Sequence, residues 1–224
     1  MTPKRIIQRA LAEGLDIIAI ADHNSCENLE TALALAGKMG ITLLPAMEIS
    51  SAEEVHVLAL FETPGAAMGM QEKVYLSMPA DLKNDPDFWG DQVLVDAEDM
   101  VLGFNSRLLA GATGIPLNAL VSAIHGFGGL AVASHVDRES FSVVSQLGFI
   151  PEGVRFDALE ISGGGARMPA PLESSGLPGV RSSDAHRLDD VGRKKTRFWM
   201  EGASFSEIAM AFKSEGGRFC TVTG

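Results

Sequence analysis

Cysteine is scarce in this sequence: Cys26 and Cys220 stand alone in 224 residues, and one possible pair cannot supply a disulfide framework. The same count excludes zinc fingers and thiolate metal sites. No apolar run reaches the roughly 18 to 20 residues that a bilayer-spanning helix needs. The N-terminal Met-Thr-Pro-Lys-Arg-Ile-Ile lacks the apolar region of a secretory signal. A cytoplasmic setting without a membrane partner is the expectation. Positive charge is also short, with 18 Lys and Arg against 29 Asp and Glu and a formal net charge of −11. Nucleic-acid affinity comes largely from cations that neutralise phosphates, so a nucleic-acid polymer is disfavoured and a small phosphorylated substrate is favoured. Carboxylates gathered around bound cations would neutralise part of the negative charge locally. Oligomeric state is not legible.

What is present suits an ordinary globule, with 46% hydrophobic and 21% charged residues over a length that fits one α/β barrel domain, 1–224. Thr2 and Pro3 start a helix that Gly14 ends, and Asp16 to Asp22 reads as a buried strand. Asn24 or Ser25 caps a second helix to about Lys38, followed by strands at 41–49 and 54–61. From 62 to about 114 the pattern loosens into an insertion, with a helix expected near 94–109. Order returns with a helix at 116–125, strand 130–134, helix 139–147, strand 156–161, a Gly-rich loop at 163–165 and strand 179–182. Strand 196–200, a helix opened by the capping-box pattern Ser204 to Glu207, and strand 218–222 complete the chain. Such alternation predicts a parallel sheet with helices outside, closed as a barrel or open and doubly wound.

The polar residues gather at the predicted strand ends. Asp22 and His23 end one strand, Glu48 another, His135 a third, Asp184 and His186 a fourth. In parallel α/β folds those ends share one face. His56, inside its strand, is the exception and is expected to point into the sheet interior. Imidazoles and carboxylates buried there are costly unless paired or bound to metal, and the mixture suits Zn, Mn or Fe. His125, near a helix end, reads as a surface histidine. Glycines 163–165 read as a turn, with phosphate binding by their backbone as the lesser reading. Cys26 reads as a small residue near a helix start. The acidic set from Asp85 to Asp99 lacks calcium-loop spacing and reads as solvated surface.

Five segments in order, Ile-Ala-Asp22-His23-Asn24, Met-Glu48-Ile-Ser, Glu-Val-His56-Val-Leu, Ala-Ser-His135-Val-Asp-Arg138 and Ser-Ser-Asp184-Ala-His186-Arg187, resemble the successive signatures of the PHP (polymerase and histidinol phosphatase) family. The resemblance implies a distorted seven-stranded (β/α) barrel holding up to three divalent metals. It assigns Glu48 as the bridge between two metals, completed by His56 and His135 on one side and Asp184 on the other. His23 and His186 would serve the third metal, with Asp22 as ligand or orienting partner. A metal-bridging hydroxide would attack phosphorus, and Arg138 and Arg187 would hold the substrate phosphate. Glu48, His135, Asp184 and His186 would be the catalytic set. The substrate implied is a sugar phosphate, histidinol phosphate or nucleotide. The alternatives are a non-catalytic binding or regulatory PHP module and a DNA-processing nuclease.

The family's opening Asp-Leu-His-x-His strand has no counterpart, because no histidine precedes His23. We therefore expect fewer than three metals in this chain, with the site of Glu48, His56 and His135 retained best. Of two explanations, an internal Met1 preceded by about 20 residues is favoured over a lost first strand, since the loss exposes two sheet edges.

Overall fold

The computed structural model describes residues 1–163 and 168–222. Glycines 164 and 165 therefore lie outside the described residues.

Helix α1 (Pro3–Ala12) packs Ile7 and Ala10 inward, and strand β1 (Ile17–Ile20) follows. Helix α2 (Leu29–Met39) begins three or four residues later than a cap at Ser25 or Asn24 would place it, with Asn28 at its N-cap. Asn24 cannot serve there. It sits buried with φ +50°, its Nδ2 donating to the carbonyls of Leu109 and Gly111 and its Oδ1 accepting from Ser50 N–H. Strands β2 (Thr42–Ser50) and β3 (His56–Leu60) form an antiparallel pair.

The segment 62–114 is more ordered than its composition predicts. Thr63 caps helix α3 (Pro64–Ser77) by accepting from Ala66 N–H. After the short α4 (Pro86–Trp89), the expected helix near 94–109 is instead a ribbon of β4 (Val93–Val95) and β5 (Val101–Phe104). The Asp96 carboxylate accepts from Glu98 and Met100 N–H and Asp99 adopts φ +66°, which turns the chain between two short apolar runs.

Helix α5 (Leu117–Gly126) leads through Gly128 and Gly129 into β6 (Leu130–Ala133). Helix α6 (Val143–Leu147) is shorter than expected because Ser142 and Ser145 form a capping box that starts it late. Strands β7 (Ala158–Glu160), β8 (Gly179–Val180) and β9 (Thr196–Trp199), helix α7 (Phe205–Phe212) and strand β10 (Phe219–Val222) complete the described order. Ser204 accepts from Glu207 N–H, but the Glu207 carboxylate turns to Arg218 and Glu201 N–H, so only half of the predicted capping box forms.

The main sheet has the order β1-β2-β3-β6-β7-β8, in which β3 runs antiparallel to both neighbours and the other pairs are parallel. The architecture is therefore mixed α/β with an open, curled six-stranded sheet. A closed parallel barrel is not what the described residues form. Strands β9 and β10 pair with each other outside that sheet.

The period of two along the strands divides the core. Leu43, Met47 and Ile49 join Val57, Ala131 and Ala133 on the face covered by α1, α2, α3 and α5. Leu44, Ala46, Leu130, Val132 and Ala158 face the other way, against Ile208 and Phe212 of α7. Fully burying side chains such as Met47 and Ile49 contributes about 1.5–3 kcal/mol each. On this second face the same alternation places Glu48 and Glu160. No helix among the described residues is long and apolar enough to cross a membrane.

Candidate metal centre

Because β1, β2, β6, β7 and β8 all run one way, their C-terminal ends deliver Asp22, Glu48, His135, Glu160 and Asp184 to one rim. His56 reaches the same rim because β3 is antiparallel. Its first residue pairs with Ser50, the last of β2. The sequence exception is thus resolved by strand direction. His23 is fastened beside Glu48 by a bridge in which Glu48 N–H donates to Asp22 O at 3.1 Å and Asn24 N–H to Glu48 O at 2.8 Å.

Three imidazoles surround the Glu48 carboxylate. His23 Nδ1 and His56 Nδ1 lie 3.4 and 3.6 Å from its Oε2, and His135 Nε2 lies 3.8 Å from Oε1 and 3.4 Å from His56 Nδ1. Two donors that each bind one ion at about 2.1 Å stand roughly 3–4 Å apart, which is this spacing. His23, Glu48 and His56 form a group that could hold a divalent metal, their ligand atoms all within 4.8 Å of one another. His23 thus stands with Glu48 and His56. Its ring centroid is 5.2 Å from that of His56 and 6.4 Å from that of His186, the residue the family resemblance pairs it with. His135 Nδ1 is buried without a hydrogen-bond partner among the described residues.

Burial pushes the Glu48 carboxyl up to about 7, reinforced by Asp184, while it pushes His56 down to about 3 and His135 down to about 4. His23 is also lowered, by burial and then by His186. The imidazoles are therefore neutral, with lone pairs available, and Arg138 and His186 only partly offset the burial of the Glu48 carboxylate. A divalent ion meets both conditions, and this donor chemistry fits the implied metal.

Asp184 occupies a different setting. Its Oδ2 forms a 2.7 Å ion pair with Arg138, and His186 Nδ1 donates to its backbone carbonyl at 3.0 Å. Arg187 is exposed, and Asp22 opens onto a cavity of about 760 Å³ lined by residues from both sheet edges, β1 and β8. His125 is not part of the centre: its Nε2 lies 2.9 Å from Asp157, which also accepts from Ala131 N–H. Cys26 is buried against Met68 Sδ at 3.6 Å.

Sequence reasoning missed three supports. Glu160, 3% exposed, accepts from His135 N–H at 3.1 Å and from the Ser182 hydroxyl, and burial pushes it up to about 7. One acidic residue in the buried run Ala158-Leu-Glu160 was the available signal. Burial draws Asp137 upward, but the N–H groups of Ser162 and Gly163 at 2.6 and 2.5 Å outweigh it and hold its carboxyl below the ordinary value. Phe141 stacks on His56 with centroids 4.7 Å apart, and its carbonyl accepts from His56 N–H. His135, Asp184, Asn24 and Phe141 all have positive φ, of 32°, 44°, 50° and 56°. Backbone strain costing of order 1–3 kcal/mol each is concentrated at this rim.

Comparison with known proteins bears out the resemblance to the PHP family. A family model described as PHP-associated matches residues 172–215. A 5′-3′ exoribonuclease of Haemophilus influenzae is 30% identical over 63 residues, 27% of this chain and 23% of that protein. The fold is shared with the lesion-specific endonuclease EndoQ of Pyrococcus furiosus, at TM-score 0.71 and 19% identity over 98% of this chain and 53% of that one. Endonuclease Q bound to a 27-mer duplex substrate with an abasic lesion gives 0.73 at 18% identity, with the same coverage. A structure described as a metal-dependent phosphoesterase of Bifidobacterium adolescentis gives 0.56 at 17%, over 87% of this chain and 84% of that one. This chain spans about half the length of the endonuclease and matches less than a quarter of the exoribonuclease.

These neighbours overturn one expectation. Disfavouring a nucleic-acid polymer because of the net charge conflicts with the likeness to endonuclease Q, which acts on lesion-bearing DNA. Net charge sums the whole surface and does not describe the ground beside the site, where five of the chain's 18 Lys and Arg fall within residues 187–197.

Proposed function

We propose that this chain, a PHP relative by its matched segment and by its fold, is a metal-dependent phosphoesterase working at the Glu48 rim. The observation that carries this reading is the 3.4 to 3.8 Å spacing of three neutral imidazoles around one buried carboxylate. Glu48, His56, His135 and His23 would hold Zn, Mn or Fe. Asp22 and Asp184 stand ready as further ligands, Asp184 once Arg138 releases it. A divalent metal bound there supplies Lewis acidity toward a phosphoryl oxygen.

The chain's own groups do the rest. Arg138, freed from Asp184, presents its guanidinium to the phosphoryl oxygens, and exposed Arg187 does so from the rim. His186 keeps its Nδ1–H on the Asp184 carbonyl, which leaves Nε2 facing the departing oxygen; as an imidazolium the ring gives that oxygen its Nε2 proton and returns to the neutral Nδ1–H form. The seven-stranded barrel of this reading would close across the gap between the β1 and β8 edges, which the cavity occupies.

Two substrate classes fit. Small phosphate esters suit the cavity. Nucleic-acid phosphodiesters are favoured by the endonuclease and exoribonuclease likenesses. A screen of small phosphate monoesters beside single-stranded and lesion-bearing oligonucleotides, with Mn and with Zn, separates them. No turnover in either set with either metal contradicts the enzymatic reading and leaves a binding module.

A further inference from the structure

The matched PHP-associated segment, residues 172–215, contains the densest positive charge of a chain that is acidic overall. Arg187, Arg193, Lys194, Lys195 and Arg197 fall within eleven residues, against Asp189 and Asp190. Arg193 pairs with Asp190 at 2.8 Å, and Lys194 turns inward to the Ser162 carbonyl. From Lys194 to Met200 burial then alternates. Phe198 and Met200 pack against the second core, while Lys195, Arg197 and Trp199 face solvent. Alternate residues of a strand stand roughly 6.6 Å apart, the order of the spacing between phosphates of an extended single strand.

At the end of this row Trp199 stacks on its cross-strand partner Phe219, with centroids 4.6 Å apart and planes 10° apart. The two are 41% and 40% exposed. The other end of the row is at the reactive rim, since Lys194 and Lys195 line the same cavity as Asp184 and His186. A second exposed aromatic pair, Phe88 and Trp89, lies among Asp85, Asp87 and Asp91, which repel phosphates. Cations and exposed aromatics coincide at the β9–β10 ribbon, the combination with which proteins hold single strands.

We propose that Arg187, Lys195, Arg197 and the Trp199–Phe219 pair form a track for the backbone of single-stranded nucleic acid, leading one phosphodiester to the rim. The track rests on the nuclease reading, but its test reads binding. A fluorescein-labelled single-stranded oligodeoxynucleotide is titrated with the protein in EDTA over a range of salt, and anisotropy gives the affinity. Arg197→Ala weakens binding several-fold at low salt and lowers the slope of log K against log salt by about 0.7. Arg197→Glu weakens it further. Trp199→Ala weakens binding with the slope unchanged, Trp199→Phe less so, and Trp89→Ala changes neither.

Wild-type protein that does not bind at the lowest salt, or ribbon variants that bind as wild type does, overturn the track. Oligonucleotide cleavage, measured separately with metal, keeps the two ideas apart. Binding that depends on the ribbon without cleavage retains the track and removes the nuclease reading. Cleavage with binding indifferent to Arg197 and Trp199 removes the track alone.

Discussion

Individual residues carry the chemistry, and at Glu48 the surroundings can be read as a pH response. Glu48 and Glu160 are both raised to about 7 by burial, so between their unfolded value near 4.5 and about 7 the metal-free folded state holds protons that the unfolded chain has released. Their contribution to stability is present at low pH and is lost as pH rises through 7. His56 and His135, lowered to about 3 and 4, act oppositely: their contribution is present above 6.5 and is lost as pH falls toward 4. Between about 4.5 and 6.5 the two pairs oppose each other, and above that the folded carboxyls, still partly protonated up to about 7, outweigh the tail of the imidazole titration. The melting temperature of EDTA-stripped protein therefore falls from pH 6.5 to 8, and saturating Zn or Mn removes the fall. A metal-free melting temperature that climbs over that range contradicts these assignments. Glu160→Ala frees the His135 N–H, and metal affinity in a fluorescence competition titration drops by about 10- to 100-fold, the usual effect of losing a group that orients a ligand. His186→Ala, by contrast, leaves metal affinity in place and lowers kcat by about 10²- to 10⁴-fold.

Among the elements, the sequence conveyed the strands better than their directions. Runs such as Ile41 to Ile49 and Leu130 to Ser134 are apolar and short, so their existence was legible. Nothing local says that β3 runs backward, and for that reason His56 looked like an exception. The ribbon at 93–104 was read as a helix because short apolar runs carry both periods, and the Asp96 turn between them is a side-chain device. The rim's residues were legible one strand end at a time. Glu160 and Phe141 were not, since their roles exist only across strands.

Two substitutions test the element-scale account. Gly129→Ala places a Cβ 2.7 Å from the Phe61 ring and 2.8 Å from the Leu60 carbonyl. Backbone at that distance cannot yield cheaply, so the α5–β6 junction shifts and the melting temperature falls. Asn24→Ala removes three hydrogen bonds, two of them buried, that tie β2 to Leu109 and Gly111, and costs about 2–4 kcal/mol in urea unfolding. A loss below about 0.5 kcal/mol, the usual range for surface changes, removes Asn24 as the anchor of that excursion.

The described residues form a six-stranded curled sheet, backed by α1, α2, α3, α5 and α6 on one face and covered by α7 and the β9–β10 ribbon on the other. Fold class was legible from the helix and strand alternation, and the resemblance to the PHP family from five short motifs in order. Closure was not, because a barrel depends on edge strands meeting, which no local pattern encodes. Net charge misled as to partners for a related reason: it averages a basic strip with an acidic remainder. The central claim is that Glu48 and its three imidazoles are a metal centre. Its most direct test is zinc binding by isothermal titration calorimetry to EDTA-stripped protein, comparing wild type with Glu48→Gln and with His125→Ala. The account predicts one or two ions bound by wild type and by His125→Ala, and none or one weakly bound ion for Glu48→Gln. Wild-type protein that binds no zinc, or Glu48→Gln that binds it as wild type does, contradicts it.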